Sequence, residues 1–211
     1  MKVYDLTLPF TMDMMVFPGT PSMEYKLSQT IAKDHYNLGI ASINTHAGTH
    51  TDAPLHFIQG GDSLEKVDVG KYIGKAVVAD CSVKSDFDEI NVSDLLPYSE
   101  KIADYKRVII RTGWSKNFNK PKYFTDYPVI TLELANWLVG LGVLMVGVEP
   151  PSLNPGKYIE LHKTLLSAGV AVVEGLTNLE TLPKDEIFFI GAPVAPKGAD
   201  GFPLRALGIE F

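Results

Sequence analysis

Cysteine is nearly absent from this 211-residue chain. Cys81 stands alone, which excludes an intramolecular disulfide and a thiolate metal cluster. It falls in the apolar run Lys75–Cys81, where a small buried hydrophobe is the expected role. An excess of positive charge is lacking too. Nineteen basic against 25 acidic residues leave a formal charge of −6, which argues against general affinity for nucleic acid or an anionic membrane. No basic run interleaved with aromatics occurs. No apolar run approaches the ~18–20 residues of a membrane span, and Met1-Lys2-Val3-Tyr4-Asp5 has no hydrophobic signal core. A soluble cytoplasmic protein is expected, without nucleic acid or membrane as partner. Internal repeats, low-complexity segments and linkers are missing as well. Gly140-Leu141-Gly142 follows a helical stretch and precedes a strand, the wrong side for a phosphate-binding turn.

What is present is an ordinary globular composition, 45% hydrophobic and 21% charged, enough for a substantial core. The length suits one compact domain over residues 1–211, or two closely joined lobes. Strands are expected at Lys2–Leu8, Met23–Ile31, Leu38–Thr45, Lys75–Cys81, Arg107–Thr112, Val143–Val148, Val170–Glu174 and Glu186–Ala192, with Leu204–Phe211 closing the chain. Val143–Val148 is too uniformly apolar to have one face in water. Ser93–Leu96 reads as a weak helical turn ended by Pro97, and the polar, proline-containing Ser115–Pro128 as an exposed excursion. Thr131 caps an amphipathic helix through about Val139, with Leu134, Leu138 and Leu141 on one face. A second helix runs from about Ile159 to Ala168 and stops at Gly169. Two strand–helix–strand units are legible, over Arg107–Val148 and Val143–Glu174. The expected class is α/β with a mixed sheet.

The chemistry concentrates in His46-Ala47-Gly48-Thr49-His50-Thr51-Asp52-Ala53-Pro54-Leu55-His56, which holds three of the five histidines and an aspartate. Imidazole and carboxylate are the usual ligands of a borderline divalent cation. In a fully extended chain His46 and His50 would lie roughly 13 Å apart, too far for one ion, and Gly48 and Pro54 disfavour a helix. A bend at Gly48 that lets His46, His50 and Asp52 converge is the expectation. Glu174 ends an apolar strand, where an ionised carboxylate costs several kcal/mol unless it is paired, metal-bound or already at the water surface. His162 lies on the helix just before that strand and can share a site with it, although a single histidine is more often a satisfied core or surface group. His35, in the polar turn Lys33–Asn37, is expected at the surface.

This eleven-residue segment resembles the HxGTHxDxPxH signature of the metal-dependent cyclase superfamily, which includes bacterial kynurenine formamidase (arylformamidase) and isatin hydrolase. The resemblance extends through Phe17-Pro18-Gly19, Arg111-Thr112-Gly113-Trp114, Gly147–Ser152, His162 and Glu174-Gly175-Leu176, nearly the whole chain. It implies a swivelling β/β/α domain of the cyclase/formamidase type, usually dimeric. By position it implies His46, His50 and Asp52 as ligands of a first metal, His162 and Glu174 as the remaining ligands, and His56 as the catalytic acid/base. Zinc is the first expectation, with manganese or iron as alternatives, at one or two ions per subunit.

A small-molecule amide substrate follows, with N-formylkynurenine, an intermediate of tryptophan catabolism, as the formamidase case. Phe17 and Trp114 are expected to line its pocket. Phe17 replaces the formamidases' tryptophan and Glu149 their aspartate, so ring opening of a cyclic amide or lactone, or a cyclisation, is the rival reading. A metal-binding protein without turnover is a third, and the retained His56 argues against it.

Overall fold

Runs of aliphatic and β-branched residues that leave no wet face call for a sheet covered on both sides. The computed structural model of the protein, which describes residues 1–183 and 185–210, shows such a sheet. In chain order the strands are β1 (Lys2–Asp5), β2 (Glu24–Gln29), β3 (Leu38–Ser42), β4 (His50–Asp52), β5 (Ile73–Asp80), β6 (Glu89–Ile90), β7 (Arg107–Arg111), β8 (Val129–Ile130), β9 (Met145–Val148), β10 (Ala171–Glu174), β11 (Glu186–Ile190), β12 (Gly201–Pro203) and β13 (Leu207–Glu210). The α-helices are α1 (Ile31–Asp34), α2 (Val92–Leu95), α3 (Ser99–Tyr105), α4 (Leu132–Gly140) and α5 (Tyr158–Ser167).

Nine strands form one sheet in the order β1-β13-β11-β5-β7-β9-β10-β4-β12. Its centre, β5-β7-β9-β10, is parallel, as expected where α3, α4 and α5 intervene, and antiparallel strands flank it on both sides. Successive side chains of the central strands enter different cores. Val77, Ala79, Val108 and Val146 pack with Leu134, Leu138, Leu161 and Leu165 of α4 and α5. Ala76, Val78, Ile109 and Val173 pack on the other face with Leu6, Phe189 and Leu204. Thr7, just past β1, bridges Leu176, just past β10, so the sheet curls until its first strand approaches its seventh. The second core lies inside that curl. The mixed α/β expectation therefore holds, and Cys81 is buried within the first core.

Several local expectations change. Pro97 does not stop the helical turn; it occupies the first turn of a 3-10 segment, where its missing N–H is no loss, and α3 follows directly. Residues 115–128 are not an exposed excursion, because Tyr123 and Tyr127 are turned inward and buried with Trp114 and Leu8. The closing stretch is preceded by a strand the pattern does not show, β12, and its last residue, Phe211, lies outside the described residues. Among the described residues β2 and β3 pair only with each other, and Tyr25, Leu27, Leu38 and Ile40 stay exposed. Among the described residues no helix is long and apolar enough to cross a membrane.

Thr131 accepts from the Leu134 amide and caps α4, whose Leu138 is fully buried. Thr131→Ala should cost about 1 kcal/mol and Leu138→Ala about 2–5 kcal/mol. Equilibrium denaturant unfolding checks the ranking, and equal losses would contradict this packing.

Candidate metal centre

The centre is built by strand register. β4 runs antiparallel to β10, placing His50 opposite Glu174 and Asp52 opposite Val172. Because side chains alternate along a strand, His50, Asp52 and Glu174 emerge on one face. Thr51 points the other way, donating to the Val172 carbonyl at 2.7 Å. Gly48 adopts φ +64, so the chain turns before β4, and His46 returns to place Nδ1 3.0 Å from Asp52 Oδ1. An L-residue at 48 would be strained, and its Cβ would meet Met14 Cε at 2.9 Å. From α5, His162 brings Nε2 to 3.0 Å from Glu174 Oε1 and 3.3 Å from Asp52 Oδ2. His50 Nε2 lies 3.5 Å from both Asp52 Oδ1 and Glu174 Oε2.

All five residues predicted as ligands thus come together. The alternative for Glu174, a strand end in water, is excluded by its burial. His162 is likewise buried inside the site, whereas His35 is exposed, at φ +66, as expected.

The donor set suits a divalent cation. Asp52 and Glu174 are 2% and 4% exposed, and their ion-pair partners are histidines. No lysine or arginine pairs with either carboxylate among the described residues. Two carboxylates withdrawn from water cost several kcal/mol each unless positive charge accompanies them. Two of the rings are already oriented for coordination. His50 Nδ1 donates to the Gly48 carbonyl at 2.9 Å and His162 Nδ1 to the Tyr158 carbonyl at 2.6 Å. A carbonyl only accepts, so each Nε2 is left facing the carboxylates. The same carboxylates favour protons on the rings. Burial disfavours charge on His46, yet Asp200 and Asp52 outweigh it and hold the ring's pKa up to about 10. Burial likewise opposes charge on His162, and Glu174 and Asp52 raise it to about 9. Burial pushes Asp52 up, but hydrogen bonds from His46 and His50 prevail and hold it well below the usual carboxylate range.

His56 ends the 3-10 turn Pro54–His56 that leaves β4. Its ring stacks on His46 at 3.8 Å between centroids and is partly open to solvent. Its Nδ1 lies 3.2 Å from Asp200 Oδ2, an atom that is also 2.9 Å from His46 Nε2. Asp200 is the residue that sequence reasoning misses. It lies 144 positions from His56, and only the flanking Gly198 and Gly201 mark its turn as unusual.

The centre opens into a cavity of about 350 Å³, walled by Phe17, Phe57, Phe118, Tyr123, Phe124 and Tyr127. Phe17 meets Phe124 edge to face at 5.9 Å. Phe17 therefore stands where expected. Trp114 does not line the cavity; it is buried behind the wall, its indole N–H donating to the Tyr123 carbonyl at 3.0 Å. Glu149 is also behind the wall. Its carboxylate accepts from the Thr112 amide at 2.6 Å and the Ser115 hydroxyl at 2.9 Å, and its carbonyl accepts from the Tyr123 hydroxyl at 3.2 Å. Burial raises the Glu149 pKa, and these donors oppose the rise. Its contact with the cavity wall runs through Tyr123.

The chain is similar to several known proteins. The Cyclase family model matches residues 4–155, a span that includes the His46–His56 segment and ends before His162, Glu174 and Asp200. Over 206 residues the chain is 30% identical to the kynurenine formamidase of Bacillus cytotoxicus, covering 96% of this chain and 95% of that protein. It is 30% identical over 211 residues to the kynurenine formamidase of Erythrobacter litoralis, at 98% and 93% coverage. Among solved structures, isatin hydrolase A of Labrenzia aggregata, bound to benzyl benzoate, aligns with a TM-score of 0.83 at 25% identity, over 98% of this chain and 93% of that one.

Loading an ion must expel the protons that His46 and His162 hold in its absence. With pKa values raised to about 10 and 9, both rings are protonated at neutral pH. Apparent affinity for a divalent cation should therefore climb with pH well beyond the ordinary histidine range, and binding at neutral pH should release protons. Calorimetry in buffers of different ionisation enthalpy measures that release. Affinity that levels off by neutral pH, with no net release, would contradict the arrangement.

Proposed function

The chain belongs to the cyclase family, and from that premise we propose that it is a metal-dependent hydrolase of a carbon–nitrogen bond, cleaving an aryl formamide such as N-formylkynurenine to kynurenine and formate. The observation that carries the reading is the junction of a buried His/Asp/Glu cluster with an aromatic cavity, and His56 at their border. His46, His50, Asp52, His162 and Glu174 would hold one or two divalent ions, zinc first, with manganese or iron as alternatives. Such an ion, when bound, lowers the pKa of water and polarises a carbonyl.

The protein's own groups do the rest. A flat aryl ring fits between the edges and faces of Phe17, Phe118, Phe124 and Tyr127, which bury it and leave the small formyl group to reach the histidine end. His56 faces the same cavity, and an imidazole can both take up and give back a proton there. It removes a proton from the attacking water and returns it to the departing nitrogen, so the amine leaves neutral. The Phe57 ring stacks on His162 at 4.4 Å and closes one side of the cluster to water.

Hydrolytic opening of a cyclic amide is the second reading, favoured by the likeness to isatin hydrolase A and by Phe17. A side-by-side assay of an aryl formamide and isatin, on protein loaded with each metal in turn, separates the two. We extend the proposal to a cytoplasmic homodimer, since a second copy would cover the exposed apolar residues of the β2–β3 hairpin; a monomer mass by light scattering would remove it.

His56 also stands near enough to His46 and Asp52 to act as a ligand. His56→Ala decides its role: ion content should stay unchanged while turnover falls about 10²–10⁴-fold. Loss of an ion would make His56 a ligand, and unchanged turnover would remove it from the mechanism.

A further inference from the structure

His50 and His162 each have one ring nitrogen tied to a backbone carbonyl. His46 and His56 are tied differently. Their rings stack at 3.8 Å and 26°, and His46 Nε2 and His56 Nδ1 both reach one atom, Asp200 Oδ2, at 2.9 and 3.2 Å. We propose that Asp200 is a positioning residue that sets the proton on both histidines at once: it accepts from Nε2–H of His46 and Nδ1–H of His56, so His46 offers Nδ1 at the Asp52 side and His56 keeps Nε2 as its basic nitrogen. This assignment rests on the metal-hydrolase reading for what the two histidines do, and on their shared contacts with Asp200 Oδ2 for where their protons sit.

The surroundings of Asp200 hold it in that place. Its other oxygen accepts from the Thr45 hydroxyl at 3.0 Å, which fixes the rotation of the carboxylate. Its carbonyl accepts from the Ala53 amide at 2.8 Å, anchoring it one residue beyond Asp52. β12 begins at the next position, with Gly201 paired opposite Asp52. A Cβ on Gly201 would come within 2.6 Å of His46 Cε1, so the glycine lets the ring lie flat against the turn. Side chain, carbonyl and following residue each meet a different part of the His46–Ala53 segment.

The chemistry gives the arrangement a purpose. A carboxylate on the outer nitrogen of a ligating histidine orients the ring and raises its basicity more than a carbonyl does. A carboxylate on one nitrogen of an acid/base histidine sets its tautomer and balances the imidazolium that forms. One anionic oxygen serves both rings here. It also offsets the repulsion that would arise when a protonated His56 stacks on an ion-bound His46. Asp200 touches neither reacting atoms nor, in this assignment, the ion.

The test uses zinc-loaded full-length protein labelled with nitrogen-15 at histidine. Long-range proton–nitrogen correlation spectra above neutral pH read which ring nitrogen carries hydrogen. The wild-type spectrum should show Nε2–H for His46 and Nδ1–H for His56. In Asp200→Asn the His56 signal should shift toward the Nε2–H form. Zinc should still bind at full stoichiometry, with affinity by chelator competition down about 10–100-fold. Turnover should fall with KM nearly unchanged. A wild-type spectrum with His56 protonated at Nε2 would overturn the proposal, as would unaltered tautomers in the variant. Loss of zinc stoichiometry would overturn it too, by making Asp200 a ligand. The wild-type spectrum decides even if the variant misfolds. It needs no substrate, so an error in the formamidase reading shows separately, as wild-type protein with these tautomers and no amide hydrolysis.

Discussion

Asp52 and Glu174 stand side by side out of water, and the surrounding architecture makes that tolerable. Neither has a lysine or arginine to pair with among the described residues, so positive charge must come from imidazoles or from an ion. The three rings that supply it are held from behind by Gly48, Tyr158 and Asp200. The pairing of β4 with β10 is therefore an electrostatic requirement as well as a packing one. A slip of one residue would turn His50 and Asp52 into the curled core and bring Thr51 to the site. The aliphatic residues on either side of these strands resist that slip.

The aromatic cavity depends on the same constraint at one remove. Its walls come from loops and 3-10 turns, which have no sheet register to place them. A buried hydrogen-bond network does so instead. Glu149 gathers the amide and hydroxyl groups of Thr112 and Ser115 and receives the Tyr123 hydroxyl on its carbonyl. Trp114 ties the other side of Tyr123 through its indole N–H. Trp114, expected from the sequence to line the pocket, thus acts from behind the wall together with Glu149. Phe17 alone of the expected pocket pair reaches the cavity.

Much of the chain is legible before folding is considered. The buried central strands are visible because runs such as Val143–Val148 leave no polar face. The helix at Leu132–Gly140 is visible because Thr131 caps it and Leu134 and Leu138 recur at its period. Local chemistry also identifies the His46–His56 segment, since ligand types at that density have few other uses, and Gly48 marks the bend. Misreadings fall where tertiary burial overrides local polarity. Residues 115–128 look exposed by composition, yet Tyr123 and Tyr127 are drawn into a core by partners more than a hundred positions away, such as Leu8. Pro97 reads as a stop, but a proline in a first helical turn gives up nothing.

By itself the sequence determined the donor types, the bend that gathers His46, His50 and Asp52, and the aliphatic strands beneath them. These depend on neighbours within about ten residues, where backbone geometry dictates which side chains share a face. Only the tertiary structure decided that β10 and β12 flank β4, which places Glu174 and the Asp200 turn against Asp52 and lets α5 lower His162 onto both carboxylates. Alternation along a strand tells which face a residue takes but not which strand will lie beside it. That choice comes from packing the whole sheet, and Asp200, with no local pattern to announce it, came into view only there.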